Sequence, residues 1–289
     1  MNDLITIDWN LGNSCNLKCS YCSSVLYDGT NPFPTVEKLA PAFAHIVEQT
    51  RAFSRVNIEF SGGEPTQSDA IKSIILNNDD PRIKFKLVSN AQAPIEWWKE
   101  TSCHLYDLTI SYHSSTSFDH FLTVASIVKE HVKPKIYVPI TPENWTVQKS
   151  VYDRLVSLNY DTHLQMLYSN FTKGNNEYLK YSKEQWDEYF KEIGIDVNVP
   201  KQVETTVEFK RVNKLNNFYG HLCWAGSTQF VIDNFGDAWR GWCKSNECLG
   251  NVFQGTIKLD EKPRICPRIQ CRNGFDLQAR KSEGSWGMA

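Results

Sequence analysis

The 289-residue chain lacks the features that would carry it to a membrane or out of the cell. No apolar run approaches the roughly 18 residues that a bilayer demands. The N-terminus, Met-Asn-Asp-Leu, has neither the basic region nor the apolar stretch of an export signal. A charge excess of one sign is also missing. The formal net charge of −2 is too small to draw the whole chain towards nucleic acid or an anionic membrane. Internal repeats and low-complexity stretches are absent, which sets aside repeat architectures. The expected setting is cytoplasmic, where thiols stay reduced and a disulfide framework is not expected. Nine cysteines then need another explanation, and metal binding leads.

With 41% hydrophobic and 22% charged residues, the chain can bury a sizeable core. Its length suits one large α/β domain with or without a small appendage. From residue 4 to about 168, short β-like runs alternate with amphipathic helical segments. The strands read as Leu4–Trp9, Val56–Phe60, Ile83–Val88, Leu105–Tyr112, Lys135–Ile140 and His163–Tyr168. Between them, helices read as Val36–Arg51, Ser68–Leu76, Ile95–Glu100, Phe118–His131 and Val147–Leu158. Six strands alternating with helices predict a parallel sheet of βαβ crossovers. In β/α barrels, functional residues gather at the C-terminal ends of the strands. Those ends carry a cysteine loop, Gly62-Gly63-Glu64, Ser89-Asn90 and His113.

The cysteine loop is Cys15-Asn16-Leu17-Lys18-Cys19-Ser20-Tyr21-Cys22. Thiolates are the preferred ligands of iron–sulfur clusters and of tetrahedral zinc. Three thiolates with no fourth nearby leave one metal position open, and an open position is where substrate or cofactor binds. A zinc knuckle completed by a distant His or Cys, or plain buried thiols, is the alternative. The second feature is Gly62-Gly63-Glu64-Pro65, directly after a strand. Paired glycines let backbone approach a ligand closely, although such a pair also serves as an ordinary turn.

Cys15-x3-Cys19-x2-Cys22, with an aromatic residue before the last cysteine, resembles the signature of the radical S-adenosylmethionine (SAM) superfamily. Gly-Gly-Glu-Pro after the second strand resembles that family's motif for the SAM amino group. The resemblance covers roughly the first 170 residues. It implies an open, partial (β/α)6 TIM-like barrel in which Cys15, Cys19 and Cys22 hold three irons of a 4Fe–4S cluster and SAM binds the fourth. By the same likeness, Gly62 and Gly63 supply backbone contacts to the methionine end of SAM, and Glu64 supports their geometry. Tyr21 corresponds to the aromatic residue near the adenine. Asn90 and Ser111 sit where polar contacts to SAM occur, and His113 faces the same end; for each of these, a turn, cap or core role is the competing account.

A third feature is C-terminal: Cys223, Cys243, Cys248, Cys266 and Cys271. Gln229–Asp233 and Ala238–Trp242 read as a hairpin around Asn234-Phe235-Gly236-Asp237, with Cys223 and Cys243 near its base. Cys266 and Cys271 return two more thiols. Four such thiols suit a 4Fe–4S cluster or an all-thiolate zinc. The region resembles the SPASM and twitch extensions of radical SAM enzymes, which carry auxiliary clusters. With five cysteines where a SPASM domain has seven, it implies one auxiliary 4Fe–4S cluster on Cys223, Cys243, Cys266 and Cys271, with Cys248 as contender. The expected division is a barrel core at 1–170, a connecting helix and strand at 171–221, and the cluster extension at 222–289. In the connection, Lys183–Ile193 reads as a helix packing Trp186, Tyr189, Phe190 and Ile193 on the barrel, and Val203–Val212 as a strand. The polar loop Asn170–Asn176 is a candidate cover for the barrel mouth. Cys103 is expected to be an ordinary buried thiol.

The resemblance implies an enzyme that reductively cleaves SAM to a 5′-deoxyadenosyl radical and takes hydrogen from an unactivated carbon. An external one-electron reductant of flavodoxin or ferredoxin type is its implied partner. Oxidation, isomerisation and cross-linking are all open outcomes. SPASM-type relatives imply a peptide, protein side chain or amino-acid-derived substrate. Because the barrel starts at residue 4, a small substrate or a peptide delivered by another protein is expected. Modification of a nucleotide or nucleic-acid base is the alternative, on the seven Lys and Arg against four Asp and Glu in 256–289, among them Arg264, Arg268, Arg272, Arg280 and Lys281. A non-catalytic electron carrier or zinc module would have no need of Gly62-Gly63-Glu64-Pro65.

Overall fold

A computed structural model describes residues 3–170, 175–195, 216–245, 247–271 and 273–282. Six parallel strands lie side by side in chain order: β1 (Leu4–Asn10), β2 (Arg55–Ser61), β3 (Ile83–Ser89), β4 (Leu105–Ser111), β5 (Lys135–Ile140) and β6 (Asp161–Met166). Helices α1 (Val36–Gln49), α2 (Asp69–Asn77), α3 (Ile95–Thr101), α4 (Phe118–Lys129) and α5 (Trp145–Ser157) make the crossovers. This is the expected (β/α)6 arrangement.

Period-two alternation sets which side chains enter the core between sheet and helices. Ile5, Ile7 and Trp9 of β1 are wholly buried, as are Val56, Ile58 and Phe60 of β2. Phe60 stacks against Phe85 of β3 with ring centroids 5.7 Å apart. From the helix side, α1 buries Leu39, Ala42 and Ile46. Polar caps start the helices: Ser68 Oγ accepts from Ile71 N at 3.3 Å before α2, and Ser117 Oγ accepts from His120 N at 3.3 Å before α4. The opposite face of the strands is charged. There Lys86 lies 2.7 Å from Glu59 and 3.7 Å from Asp107, so β2, β3 and β4 are linked by ion pairs.

Beyond β6 come a short antiparallel pair, β7 (Tyr168–Asn170) with β8 (Asn175–Tyr178), and α6 (Lys183–Glu192). Ser182 and Gln185 form a reciprocal capping box at the start of α6. Tyr189 is buried, and Trp186 and Phe190 pack partly buried on the core, as the periodicity predicts. Ile193 does not join them; it falls just past the helix end and is exposed. The expected strand Val203–Val212 and the middle of the Asn170–Asn176 loop lie outside the described residues.

The C-terminal part comprises β9 (Leu222–Cys223), β10 (Gln229–Ile232), β11 (Asp237–Trp239), β12 (Gly250–Asn251), β13 (Arg264–Ile265), α7 (Gly274–Gln278) and β14 (Lys281–Ser282). Strands β13, β9 and β14 form a small sheet of their own. Strand β10 instead pairs parallel with β1, placing Ile7 opposite Phe230 and Trp9 opposite Ile232. The barrel sheet therefore continues into the β10–β11–β12 meander. All four residues of β10 are buried, which accounts for its unbroken Phe-Val-Ile run.

A second tie joins extension and barrel. Trp242 Nε1 donates to Asp8 Oδ2 at 2.6 Å, and Ser61 Oγ donates to Asp8 Oδ1 at 2.7 Å. Burial first, and then the neighbouring charge of Glu59, push the Asp8 carboxyl up to about 6 from 3.8. An acid that binds its proton more tightly in the folded state makes that state lose stability as pH rises through the interval between unfolded and folded pKa. Stability should therefore fall between about pH 4 and about pH 6, by on the order of 2–3 kcal/mol from this group. Asp8→Asn keeps an acceptor for Trp242 and should flatten that fall in urea unfolding curves. An unchanged slope in the variant would locate its source elsewhere.

Candidate functional site

At the C-terminal ends of the strands lies a cavity of about 560 Å³. Its wall contains Cys15, Cys19, Cys22, Tyr21, Gly62, Gly63, Glu64, Asn90, Ser111 and His113. Residues far apart in the chain thus meet where the strand-end rule places them.

The cysteine loop is held by its neighbours. Asn13 Nδ2 donates to Asp28 Oδ1 at 2.7 Å and to Val25 O at 3.1 Å, closing the loop on itself. Against it lies the glycine pair, with φ of +83° at Gly62 and +39° at Gly63. A Cβ on Gly62 would sit 2.0 Å from Asn10 Oδ1, and one on Gly63 would sit 2.2 Å from Ser14 O. Both the left-handed backbone and the crowding require glycine. The close approach is thus to the cysteine loop itself, and Glu64 N seals it by donating to Ser14 O at 2.7 Å.

Glu64 is only 1% exposed. Its Oε1 accepts from Ser89 Oγ at 2.8 Å, Thr66 Oγ1 at 2.7 Å and Thr66 N at 3.1 Å, and its Oε2 accepts from Asn90 N at 2.7 Å. Burial raises its pKa against the pull of these donors. Its carboxylate serves the end of β3, a supporting role. Asn90 in turn donates from Nδ2 to Asn16 Oδ1 at 2.8 Å and faces Cys15 Sγ at 3.8 Å. One chain of contacts therefore runs from glycine motif to cysteine loop.

Tyr21 and His113 are stacked, with Oη and Nδ1 2.5 Å apart. Cys19 Sγ is 3.5 Å from the same ring nitrogen. Burial lowers His113 to about 4, so the imidazole is neutral at neutral pH. Burial also raises the Tyr21 phenol. Burial is the first cause of the raised pKa of Cys15 and Cys19, and it takes Cys22, beside Cys19 and Cys15, to about 11. Such thiols stay protonated near neutral pH unless a strong positive charge displaces the protons. A cluster's irons supply that charge, and three thiols on one cavity wall are a fitting donor set.

Cys223, Cys243, Cys266 and Cys271 line a second, smaller cavity together. Burial raises Cys243 and takes Cys271 to about 12, with neighbouring thiols adding to both. Asp276 fixes this wall: Oδ1 accepts from Trp242 N and Oδ2 from Cys243 N, each at 2.8 Å. Buried Arg240 braces the other side, donating to Cys223 O at 3.0 Å and pairing with Asp260 at 2.9 Å. Cys248 stands apart from the four, its Sγ near Ala238 O and Gly250 O at 3.1 and 3.2 Å. Cys103 is exposed where the sequence reading expects it buried, because the 3-10 turn that follows α3 presents it to solvent. Among the described residues, no three His, Cys, Asp or Glu side chains close to the spacing of one metal ion.

Among the parts of the large cavity wall that the sequence does not single out are three amide residues. Asn10 and Gln165 project from the ends of β1 and β6, and Asn273-Gly274 arrives from the C-terminal segment. Asn10 had a signal, its place just past the strand read at Leu4–Trp9, whereas Gln165 reads as mid-strand within His163–Tyr168. Asn273 had none, since only the tertiary path brings it there; its Oδ1 accepts from Phe275 N at 2.8 Å.

Gly63→Ala should detach the cysteine loop from β2, costing at least ~1–3 kcal/mol from backbone strain alone. Gly194→Ala, at φ +74° with nothing within 4 Å of an added Cβ, is the control for strain without crowding. Thermal unfolding should place Gly63→Ala well below that control. Equal melting temperatures would remove the crowding argument.

No protein-family model and no curated protein matches the sequence. Solved structures do match in three dimensions. Native anSMEcpe with bound AdoMet superposes at a TM-score of 0.57 with 16% identity, over 87% of this chain and 79% of that one. Streptococcus suis SuiB bound to S-adenosylmethionine matches at 0.54 with 17% identity, over 87% of this chain and 64% of SuiB. SuiB bound to precursor peptide SuiA matches at 0.53 with 17% identity, over 88% and 63%. This chain thus spans just under two thirds of SuiB. At these identities the likeness is one of fold, and this chain has the partial-barrel fold of radical SAM enzymes.

Proposed function

We propose that the protein is a radical SAM enzyme acting on a peptide, protein side chain or amino-acid-derived substrate. The carrying observation is that Cys15, Cys19, Cys22 and the Gly62-Gly63 pair line one cavity. When bound, a 4Fe–4S cluster and SAM supply one-electron cleavage of the sulfonium and hence abstraction of a hydrogen atom. The chain's own residues prepare that chemistry. Cys15, Cys19 and Cys22 would hold three irons and leave the fourth to SAM. Gly62 and Gly63 would bring backbone to its methionine end, and Glu64 with Ser89 and Asn90 keeps that backbone in place. Tyr21 and neutral His113 close the wall beside Cys19 without adding charge.

The four thiols of the second cavity would hold an auxiliary 4Fe–4S cluster, with Cys248 outside the set. A peptide-type substrate is favoured by the amide groups of Gln165 and Asn273 on the cavity wall, which match peptide amides as hydrogen-bond partners. SuiB with its bound precursor peptide has the same fold, which supports this reading. Among the described residues no helix is long and apolar enough to cross a membrane. Electrons would come from an external one-electron carrier.

Anaerobic reconstitution with iron and sulfide, followed by SAM and dithionite, should release 5′-deoxyadenosine. Cys19→Ala should lose at least a hundredfold of that release. A colourless zinc protein inert to SAM would contradict the proposal.

A further inference from the structure

The thiol cavity is covered on one side by an exposed loop of unusual composition. Cys266 is buried, yet Ile265, Pro267, Arg268 and Ile269 around it are all exposed. Ile265 is 53% and Ile269 72% exposed, and Tyr219 is 63% exposed. Tyr219 belongs to the same face, because Gly220 N donates to Cys266 O at 3.0 Å and Cys266 N to His221 O at 2.8 Å. Three large apolar side chains standing in water so close together carry a hydration cost that a partner would relieve. Cations surround them. Lys262, Arg264 and Arg268 are exposed, whereas Glu261 is the one exposed carboxylate among described residues 261–271. The other nearby acids are buried: Asp260 lies between Arg240 and Arg264, at 2.9 and 2.5 Å, and Asp276 is in the cavity wall. The face is therefore apolar at its centre and positive at its rim, on a chain whose net charge is −2.

Arg268 connects face and cavity. It lines the thiol cavity, and its Nη2 donates to Cys243 O at 2.8 Å. Cys266, Pro267, Arg268 and Cys271 all line that cavity, so a protein seated on this loop lies against its wall. We infer that this face docks an acidic one-electron carrier protein and admits its electron to a cluster held by the four thiolates, an inference that rests on the auxiliary-cluster reading above. One electron leaves the reduced carrier, which is oxidised by one, and the oxidised cluster is reduced by one. Opposite charge at the rim steers the encounter, and Tyr219 and the two isoleucines supply the contact that excludes water.

The test uses reconstituted holoenzyme and flavodoxin hydroquinone as carrier. Lys262→Glu with Ile269→Glu alters two exposed side chains, and Lys99→Glu on α3 is the charge control. In anaerobic stopped-flow, the double variant should be reduced by flavodoxin at least tenfold more slowly than the parent, with dithionite rates unchanged. Flavodoxin affinity measured by calorimetry should fall in parallel. Salt should slow the parent's reaction with flavodoxin and have less effect on the double variant. Unchanged flavodoxin rates, or equal losses with both reductants, overturn the inference. So does a dimer of the parent that the double variant dissolves at unchanged flavodoxin rate, which would assign the face to a second copy of this chain. Failure of the auxiliary-cluster reading shows itself separately, as a Mössbauer spectrum with no second cluster.

Discussion

The site depends on one contact, the approach of the backbone at Gly62–Glu64 to the backbone at Ser14. An added Cβ at Gly63 would stand 2.2 Å from Ser14 O, and the hydrogen bond from Glu64 N to that oxygen is 2.7 Å long. A loop with three half-buried thiols has little apolar surface to hold it, and the raised thiol pKa values reflect poor solvation there. Glycine at two successive left-handed positions is the condition for the end of β2 to reach the loop. Glu64 extends the same anchoring to β3 through Ser89 and Asn90. The motif is thus an internal clamp, a role additional to the ligand contact proposed for it.

The second cavity is built on the same logic with different groups. Buried polar anchors place its thiols: Asp276 holds Trp242 and Cys243 by their backbone amides, and Arg240 holds Cys223 and Ala225 by their carbonyls. The two cavities are near each other along the chain, since Cys271 lines one and Asn273 the other. Pairing of β10 with β1, together with the bond from Trp242 to Asp8, keeps the two in a fixed relation.

Much of this was legible in the residues. Strand alternation and helix periodicity yield the six βαβ units because the barrel's core lies between sheet and helices, where binary patterning is cleanest. Gly62-Gly63 and the cysteine loop could be paired because both follow strands. Other parts were hidden for physical reasons. The Phe-Val-Ile run of β10 announces burial but not its partner, which lies more than two hundred residues earlier in the chain. Asp8 looks like an ordinary outward residue until Trp242 covers it. Gln165 is obscured because the strand pattern in the sequence runs from His163 to Tyr168, which puts it in mid-strand, whereas β6 ends at Met166. Ile193 and Cys103 each fall at a helix end, where periodicity no longer dictates burial.

The central claim is that a cluster on Cys15, Cys19 and Cys22 keeps one iron open to SAM at the glycine clamp. Electron paramagnetic resonance of the anaerobically reconstituted, reduced protein tests it most directly, with SAM added to a form whose auxiliary cysteines are substituted. A reduced-cluster signal that shifts on adding SAM, and is absent in Cys22→Ala, is the predicted result. A signal indifferent to SAM, or no cluster at all on this trio, would contradict the account.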